Sequence, residues 1–157
     1  MDQKGFSLVE LLMVVAIVVI AAGVAIPYLT RYTQNNNLRN AARAISGDFF
    51  EYKSKAIAEY KRYRIIFDTA NDNYTIEQCD ATGATCAAYS IVATRAMSAF
   101  GTGIDITAAG FGANPTINFQ TRGTTEAGSV TVQNSRGSTA TITTNITGKT
   151  YVQYVIQ

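Results

Sequence analysis

Few residues of this 157-residue chain could carry out catalysis. The sequence contains no His and no Trp, and only two Cys, Cys79 and Cys86. Because His is the commonest general base and the commonest metal ligand, its absence argues against triad hydrolases and ordinary catalytic zinc sites. The formal net charge of +2 is too small to indicate nucleic-acid binding by itself. We therefore expect a protein that is not an enzyme and that uses no metal ion and no cofactor.

The two cysteines bracket a short segment, residues 80–85. The spacing of Cys79 and Cys86 suits a disulfide that closes a hairpin loop in an oxidising compartment. The alternative is a pair of unrelated buried thiols. A metal site is the least favoured interpretation, because the chain offers no His and no further Cys as ligands.

The most apolar part of the sequence extends from residue 6 to residue 30 and contains a single charged residue, Glu10. About 20 apolar residues in a helix cross the hydrocarbon core of a bilayer. A cleaved secretory signal would have more positive residues before a shorter apolar stretch, and a buried helix this apolar would need a larger protein around it. We predict a membrane-spanning helix over residues 6–30. Its orientation stays open, because Arg31 and Arg39 favour a cytoplasmic C-terminal flank whereas a disulfide favours an oxidising compartment.

Glu10 is the unusual residue of this segment. A carboxylate at the centre of an apolar span costs on the order of 2.5–3.5 kcal/mol, and less near an end. Glu10 therefore either lies at the depth of the lipid headgroups or has a partner in the apolar environment.

The beginning of the apolar segment resembles the class III signal of type IV prepilins and type II secretion pseudopilins, on the residues KGFSLVELLMV at positions 4–14. In that family a short leader ends in Gly, Phe usually follows, and a Glu stands at the fifth mature position. The resemblance implies that residues 1–5 are a leader and that a prepilin peptidase cleaves between Gly5 and Phe6 and methylates the new amino group of Phe6. It also implies a single-pass inner-membrane protein with a periplasmic C-terminal part, which later joins a periplasmic or surface filament.

The resemblance gives Glu10 a partner, the amino group of Phe6 in an adjacent subunit of a filament. Leaving one of these two charges buried and unpaired would cost several kcal/mol, so the pair would fix the register between subunits. Pro27 occupies a position where this family commonly has Pro. Its ring opposes the carbonyl of Gly23, a weak helix former, so we predict a kink or a stretch that melts on assembly. The alternative is a transmembrane proline that is merely tolerated.

After Pro27 the pattern becomes that of an amphipathic helix. One apolar face at steps of three and four predicts a stem helix over residues 31–62. The residues of this face are Leu38, Ala42, Ile45, Phe49, Tyr52, Ala56 and Tyr60. Glu51 and Lys55 have the spacing of a stabilising pair on another face.

Residues 63–157 have the patterns of a β-rich part of the same domain. Residues 63–67 and 74–76 predict a hairpin around a turn at 70–73, and further strands are predicted at 89–93, 103–107, 116–120, 129–133, 140–146 and 151–156. The fold class that we predict is α+β, with a long N-terminal transmembrane and stem helix packed on a small antiparallel β-sheet domain.

The C-terminal half is similar to the GspH/FimT group of minor pilins and pseudopilins. The similarity rests on Ile117, Phe119 and Gly123, then the strand at residues 129–132, then Gly148-Lys149. In that group a Gly-Arg pair stands near the end, whereas here Lys149 follows Gly148.

Some members of the group are linked to DNA uptake through a basic C-terminal segment. In this chain only Arg122, Arg136 and Lys149 follow Arg95, which weakens that interpretation. Residues 31–64 carry eight basic and three acidic side chains, a pattern compatible with nucleic acid or lipid headgroups but more typical of a solvated helix face.

Two functions therefore compete. The first is a minor pilin or pseudopilin that initiates or caps a type II secretion pseudopilus or a type IV pilus. The second is a DNA-uptake receptor or adhesive subunit of a type IV pilus. In either case the expected partners are the prepilin peptidase, other pilins or pseudopilins, and the inner membrane.

Overall fold

The computed structural model describes residues 7–157, apart from the side chains of residues 24, 25 and 27. One helix, α1 (Leu8–Ala58), precedes eight strands, and a short 3₁₀ helix (Met97–Phe100) follows the third strand. The strands are β1 (Lys61–Asp68), β2 (Asn73–Thr82), β3 (Tyr89–Ala96), β4 (Ile104–Phe111), β5 (Thr116–Phe119), β6 (Gly128–Asn134), β7 (Thr139–Thr144) and β8 (Thr150–Val155). The predicted α+β class is confirmed.

The chain divides into two compact units between Thr33 and Gln34. The first unit is the N-terminal part of α1, whose apolar side chains are exposed along its described length. In the part of the chain that the structure describes, α1 is the one helix long and apolar enough to cross a membrane. From Leu8 onward, the membrane-spanning segment predicted from the sequence is therefore helical.

The second unit begins with the remainder of α1, which buries one face. The predicted apolar face is confirmed from Leu38 to Ala56, where the side chains are nearly inaccessible to solvent. The helix ends at Ala58, however, four residues before the predicted end of the stem helix at residue 62. Tyr60 has a left-handed backbone (φ 52°), which no α-helix continues, and its side chain is 59% exposed. The carbonyl of Tyr60 accepts a hydrogen bond from Gly83 N–H at 2.8 Å, so the chain turns there into β1.

The predicted antiparallel β-sheet domain is confirmed, and it consists of two sheets of four strands each. The orders are β3-β2-β1-β5 and β4-β6-β7-β8. All the predicted strands are present, and the first four are longer than predicted. The predicted β1–β2 hairpin is confirmed, with Phe67 opposite Tyr74 beside the turn.

Both sheets pack against the same face of α1. The ring of Phe49 meets Phe67 and Phe119 of the first sheet edge to face, at centroid distances of 6.2 and 6.0 Å. It meets Phe111 of the second sheet in the same manner at 6.0 Å. Because its ring contacts both sheets, Phe49 lies at the centre of the core that joins the helix to them. Each edge-to-face pair adds about 0.5–1.5 kcal/mol beyond the area buried.

A turn residue also joins the two sheets directly. Asp72 lies in the β1–β2 turn with a left-handed backbone (φ 49°). Its carboxylate accepts a hydrogen bond from Ile106 N–H of β4 at 2.8 Å, while its carbonyl accepts one from Met97 N–H. The turn predicted at residues 70–73 therefore also positions the second sheet.

Candidate functional site

The first candidate site is the exposed apolar segment at the beginning of α1. Large side chains point outward on every side of the helix between Leu8 and Ile20. So large a contiguous apolar surface marks contact with lipid or with other protein chains. The segment is therefore suited to anchoring in a membrane, to assembly with similar helices, or to both in turn.

Glu10 lies in the first turn of α1, and its side chain is exposed. Backbone hydrogen bonding of the helix starts nearby, where Leu11 N–H donates to Ser7 C=O at 3.1 Å. A carboxylate is favourable in a first turn because it faces the positive end of the helix dipole. Gly5 and Phe6 lie outside the described residues, so cleavage between them and the pairing of Glu10 with Phe6 stay predictions.

The helix continues through Gly23 and Pro27 without a break in its α-helical assignment. A Cβ atom added to Gly23 would meet nothing within 4 Å, so close packing within this chain does not require a glycine there. The bend or local melting predicted at these two residues stays a prediction.

Cys79 and Cys86 form a disulfide, with their Cα atoms 5.8 Å apart. The bridge spans the β2–β3 connection, and Asp80 N–H donates to Ala88 C=O at 3.1 Å across the loop that it closes. Cys79 is fully buried on β2. Within residues 7–157, no three Cys, Asp or Glu side chains lie close enough together to hold a metal ion.

A buried ionic network that the sequence analysis missed ties α1 to the first sheet. Asp48, on the helix, is 6% exposed; its carboxylate accepts a hydrogen bond from the Tyr74 hydroxyl at 2.6 Å and forms an ion pair with Arg95, whose Nε lies 2.9 Å away. Burial raises the pKa of Tyr74, and the hydrogen bond that its hydroxyl donates to Asp48 raises it further. The negative charge of Asp48 raises the pKa of Arg95. Asp48 is three residues after Ile45 and four before Tyr52, so helical spacing alone could have indicated that it borders the apolar face.

The two glycines that carried the GspH/FimT similarity both lie against α1. Gly123 (φ 79°) is so close that an added Cβ would be 2.7 Å from Ile57 Cδ1, and one on Gly148 (φ 70°) would be 2.8 Å from Lys53 Cδ. Both positions thus combine a left-handed backbone, which favours glycine, with close approach to side chains of the helix. The two loops are also joined to each other, since Thr125 N–H donates to Ile146 C=O at 3.1 Å.

A groove of about 680 Å³ lies between α1 and β8, and we call it the stem groove. Its helix wall contains Arg43, Gly47, Phe50 and Lys53, and its other wall contains residues 148–150 and Val152. No local sequence pattern indicates this groove, because it depends on the packing of the last strand beside the helix.

The basic residues from Arg95 onward, which were weighed as a nucleic-acid site, are dispersed over the folded unit. Arg122, Arg136 and Lys149 lie on three different loops, and Arg95 pairs with the buried Asp48. Of the four, Lys149 alone lines the stem groove.

Comparison with known proteins gives one motif and a set of similar folds. Residues 1–26 match the family model for the prokaryotic N-terminal methylation motif. No curated protein sequence matches the chain. The minor pseudopilin EpsH from the type 2 secretion system of Vibrio cholerae has a similar structure, with a TM-score of 0.58, 11% identity, and coverage of 75% of this chain and 97% of EpsH.

The type IV minor pilin FimU of Pseudomonas aeruginosa is also similar, with a TM-score of 0.52, 13% identity, and coverage of 74% of this chain and 92% of FimU. At these identities the likeness establishes the fold. The N-terminal methylation motif and the pilin-like fold inferred from the sequence are thus both confirmed. The chain thus combines a prokaryotic N-terminal methylation motif with the fold of a minor pilin.

Proposed function

We propose that this chain is a minor pilin or pseudopilin, a structural subunit that initiates or caps a type II secretion pseudopilus or a type IV pilus. The observation that carries the proposal is the position of the methylation motif. The motif includes the beginning of an exposed apolar helix, and the same helix continues into a pilin-like folded unit. Motif, anchor and folded unit thus follow one another in the order that a filament subunit needs.

The subunit would be made as an inner-membrane protein with a single span and a periplasmic C-terminal unit. A disulfide between Cys79 and Cys86 supports an oxidising compartment for that unit. The similar folds include a minor pseudopilin and a minor pilin, which supports a subunit present at a few positions of the filament rather than along its whole shaft. Both kinds of filament are represented among them, so the proposal includes both.

Cleavage by the prepilin peptidase is tested by Gly5→Ala. We expect the variant to keep its leader, because the peptidase needs a residue without a side chain at the scissile carbonyl. Intact-mass analysis of membrane fractions should show N-methylated Phe6 at the start of the parent protein and the full leader in the variant. Normal removal of the leader from the variant would contradict this assignment.

Assembly is tested by Glu10→Leu. If Glu10 neutralises the Phe6 amine of an adjacent subunit, the variant leaves that amine buried without a partner, at a cost of about 3–5 kcal/mol. Association should fall by a factor of about 150 to 4,000, measured as co-purification with the other pilins of the native host. Leader cleavage and the Cys79–Cys86 bridge should be unaffected.

The matched control is Glu51→Leu, which removes an exposed carboxylate from the same helix. It should assemble like the parent. Unchanged co-assembly of Glu10→Leu would refute the pairing mechanism and place Glu10 at the depth of the lipid headgroups.

A further inference from the structure

The stem groove is positively charged. Arg43 and Lys53 lie on its helix wall and Lys149 on the opposite wall, and within residues 7–157 no acidic residue lines it. The ion pairs of the described part of the chain use none of these three cations. Lys53 is held in place, since its Nζ donates to Thr147 C=O at 2.8 Å and lies 3.4 Å from Gly148 C=O. The groove therefore attracts negative charge from both of its walls.

The same groove also has an apolar surface. Phe50 is 74% exposed although it lies beside Phe49 at the centre of the core. Gly47, one turn earlier on the helix, and Val152 of β8 line the same groove as Phe50. An aromatic side chain exposed to this extent gains from being covered.

The strand that borders the groove is the last of its sheet. β8 pairs with β7 along one edge, from Thr144 opposite Thr150 to Thr139 opposite Val155. Along its other edge no strand is paired among residues 7–157. Thr150 and Val152, two residues apart and thus on the same face of β8, both line the groove, so the last strand of the sheet runs along it. An edge of this kind offers backbone N–H and C=O groups to an incoming extended segment.

We propose that the stem groove binds an extended acidic segment of a neighbouring filament subunit, which adds as a strand to β8. The backbone of the segment pairs with the edge of β8. Its carboxylates face Arg43, Lys53 and Lys149, and its apolar side chains cover Phe50. A nucleic acid has the charge but no backbone amides for the strand edge, so a peptide fits the groove better. The proposal rests on the proposed function, because it identifies the partner as another subunit of the filament.

The test uses the full chain in zwitterionic nanodiscs and a fluorescent seven-residue peptide of alternating Val and Glu. We expect saturable binding, measured by fluorescence anisotropy. The same peptide with every backbone nitrogen methylated should bind at least tenfold more weakly, because neither of its edges can donate hydrogen bonds to β8. A peptide of alternating Val and Lys should not bind.

Charge reversal locates the binding. The double variant Arg43→Glu and Lys149→Glu should weaken binding at least thirtyfold, while a matched double variant at two exposed arginines elsewhere, Arg122→Glu and Arg136→Glu, should change it less than twofold. Near-ultraviolet circular dichroism and an intact Cys79–Cys86 bridge would show that both variants are folded.

Equal weakening by the two double variants, or equal binding of the methylated peptide, would overturn the proposal. So would binding of a 20-nucleotide single-stranded DNA or of phosphatidylglycerol vesicles that depends on Arg43 and Lys149 while the peptide does not bind. The proposed function is judged separately, by Glu10-dependent co-assembly. If that dependence holds while the peptide fails, the groove assignment alone is wrong.

Discussion

Replacing Asp48 by Ala measures how strongly α1 is tied to the first sheet. The change removes the acceptor of the Tyr74 hydroxyl, which is fully buried, and an unsatisfied buried hydroxyl costs about 1–3 kcal/mol. Arg95 also loses its partner, but its side chain is 44% exposed and can be rehydrated, so this loss adds at most about 1 kcal/mol. Alanine recovers about 0.5 kcal/mol through its higher helix propensity. The free energy of unfolding should fall by about 0.5–3.5 kcal/mol, the sum of these three contributions.

A double-mutant cycle with Tyr74→Phe shows whether this reasoning is correct. Tyr74→Phe alone should lower the free energy of unfolding by about 1 kcal/mol, because Asp48 keeps its ion pair with Arg95. In the double variant no hydroxyl is left unsatisfied, so its cost should be about 1–2 kcal/mol less than the sum of the two single costs.

The assay is urea-induced unfolding of the full chain in nanodiscs, followed by near-ultraviolet circular dichroism of its tyrosines. Glu51→Ala is the matched control, since it removes an exposed carboxylate of the same helix and should cost less than about 0.5 kcal/mol. Additive costs in the cycle, or a cost of Asp48→Ala no larger than that of the control, would refute the role assigned to the network.

Two further predictions concern the disulfide and the buried Tyr63. Replacing both Cys79 and Cys86 by Ser should lower the free energy of unfolding by about 2.5 kcal/mol, since the bridge closes an eight-residue loop, and should make stability insensitive to a reductant that destabilises the parent by the same amount. Burial, and then the hydrogen bond to Glu59, raise the pKa of Tyr63 above its usual 10. This stabilisation is complete below about pH 10 and is lost as the pH rises toward the folded-state pKa, by about 1.4 kcal/mol per pH unit for one tyrosine. Tyr63→Phe should reduce that slope of stability between pH 10 and 11, measured by urea unfolding; an unchanged slope would exclude Tyr63 as a source of it.

The sequence predicted the strands well because their signal is local. Alternating apolar residues between turn residues mark each strand independently of its neighbours. The division into two sheets has no such signal, because β4 and β5 show the same alternation although β4 joins β6 and β5 joins β1. The end of α1 was predicted too late for a similar reason. Tyr60 continues the apolar spacing, whereas the turn there depends on a backbone bond from the distant Gly83.

The candidate site divides in the same manner. The processing and assembly roles of Gly5, Phe6 and Glu10 could be predicted because the motif that contains these residues is contiguous in sequence. The network of Asp48, Tyr74 and Arg95 and the stem groove join residues far apart in the chain, so the pairing of strands has to be known before either can be recognised.

The pairing of β1 with β5 has a consequence for the order in which the chain folds during its synthesis. Tyr63 of β1 has Phe119 of β5 as its partner, and β2, β3 and β4 are all made between them. The hairpin of β1 and β2 can form early, but β1 then keeps an open edge until the chain has grown past Phe119. An open edge on an incomplete domain is a site of wrong pairing between chains. A factor that shields new chains would therefore be needed most during the synthesis of residues 83–119, and a stalled chain ending in that interval should be the most prone to aggregate.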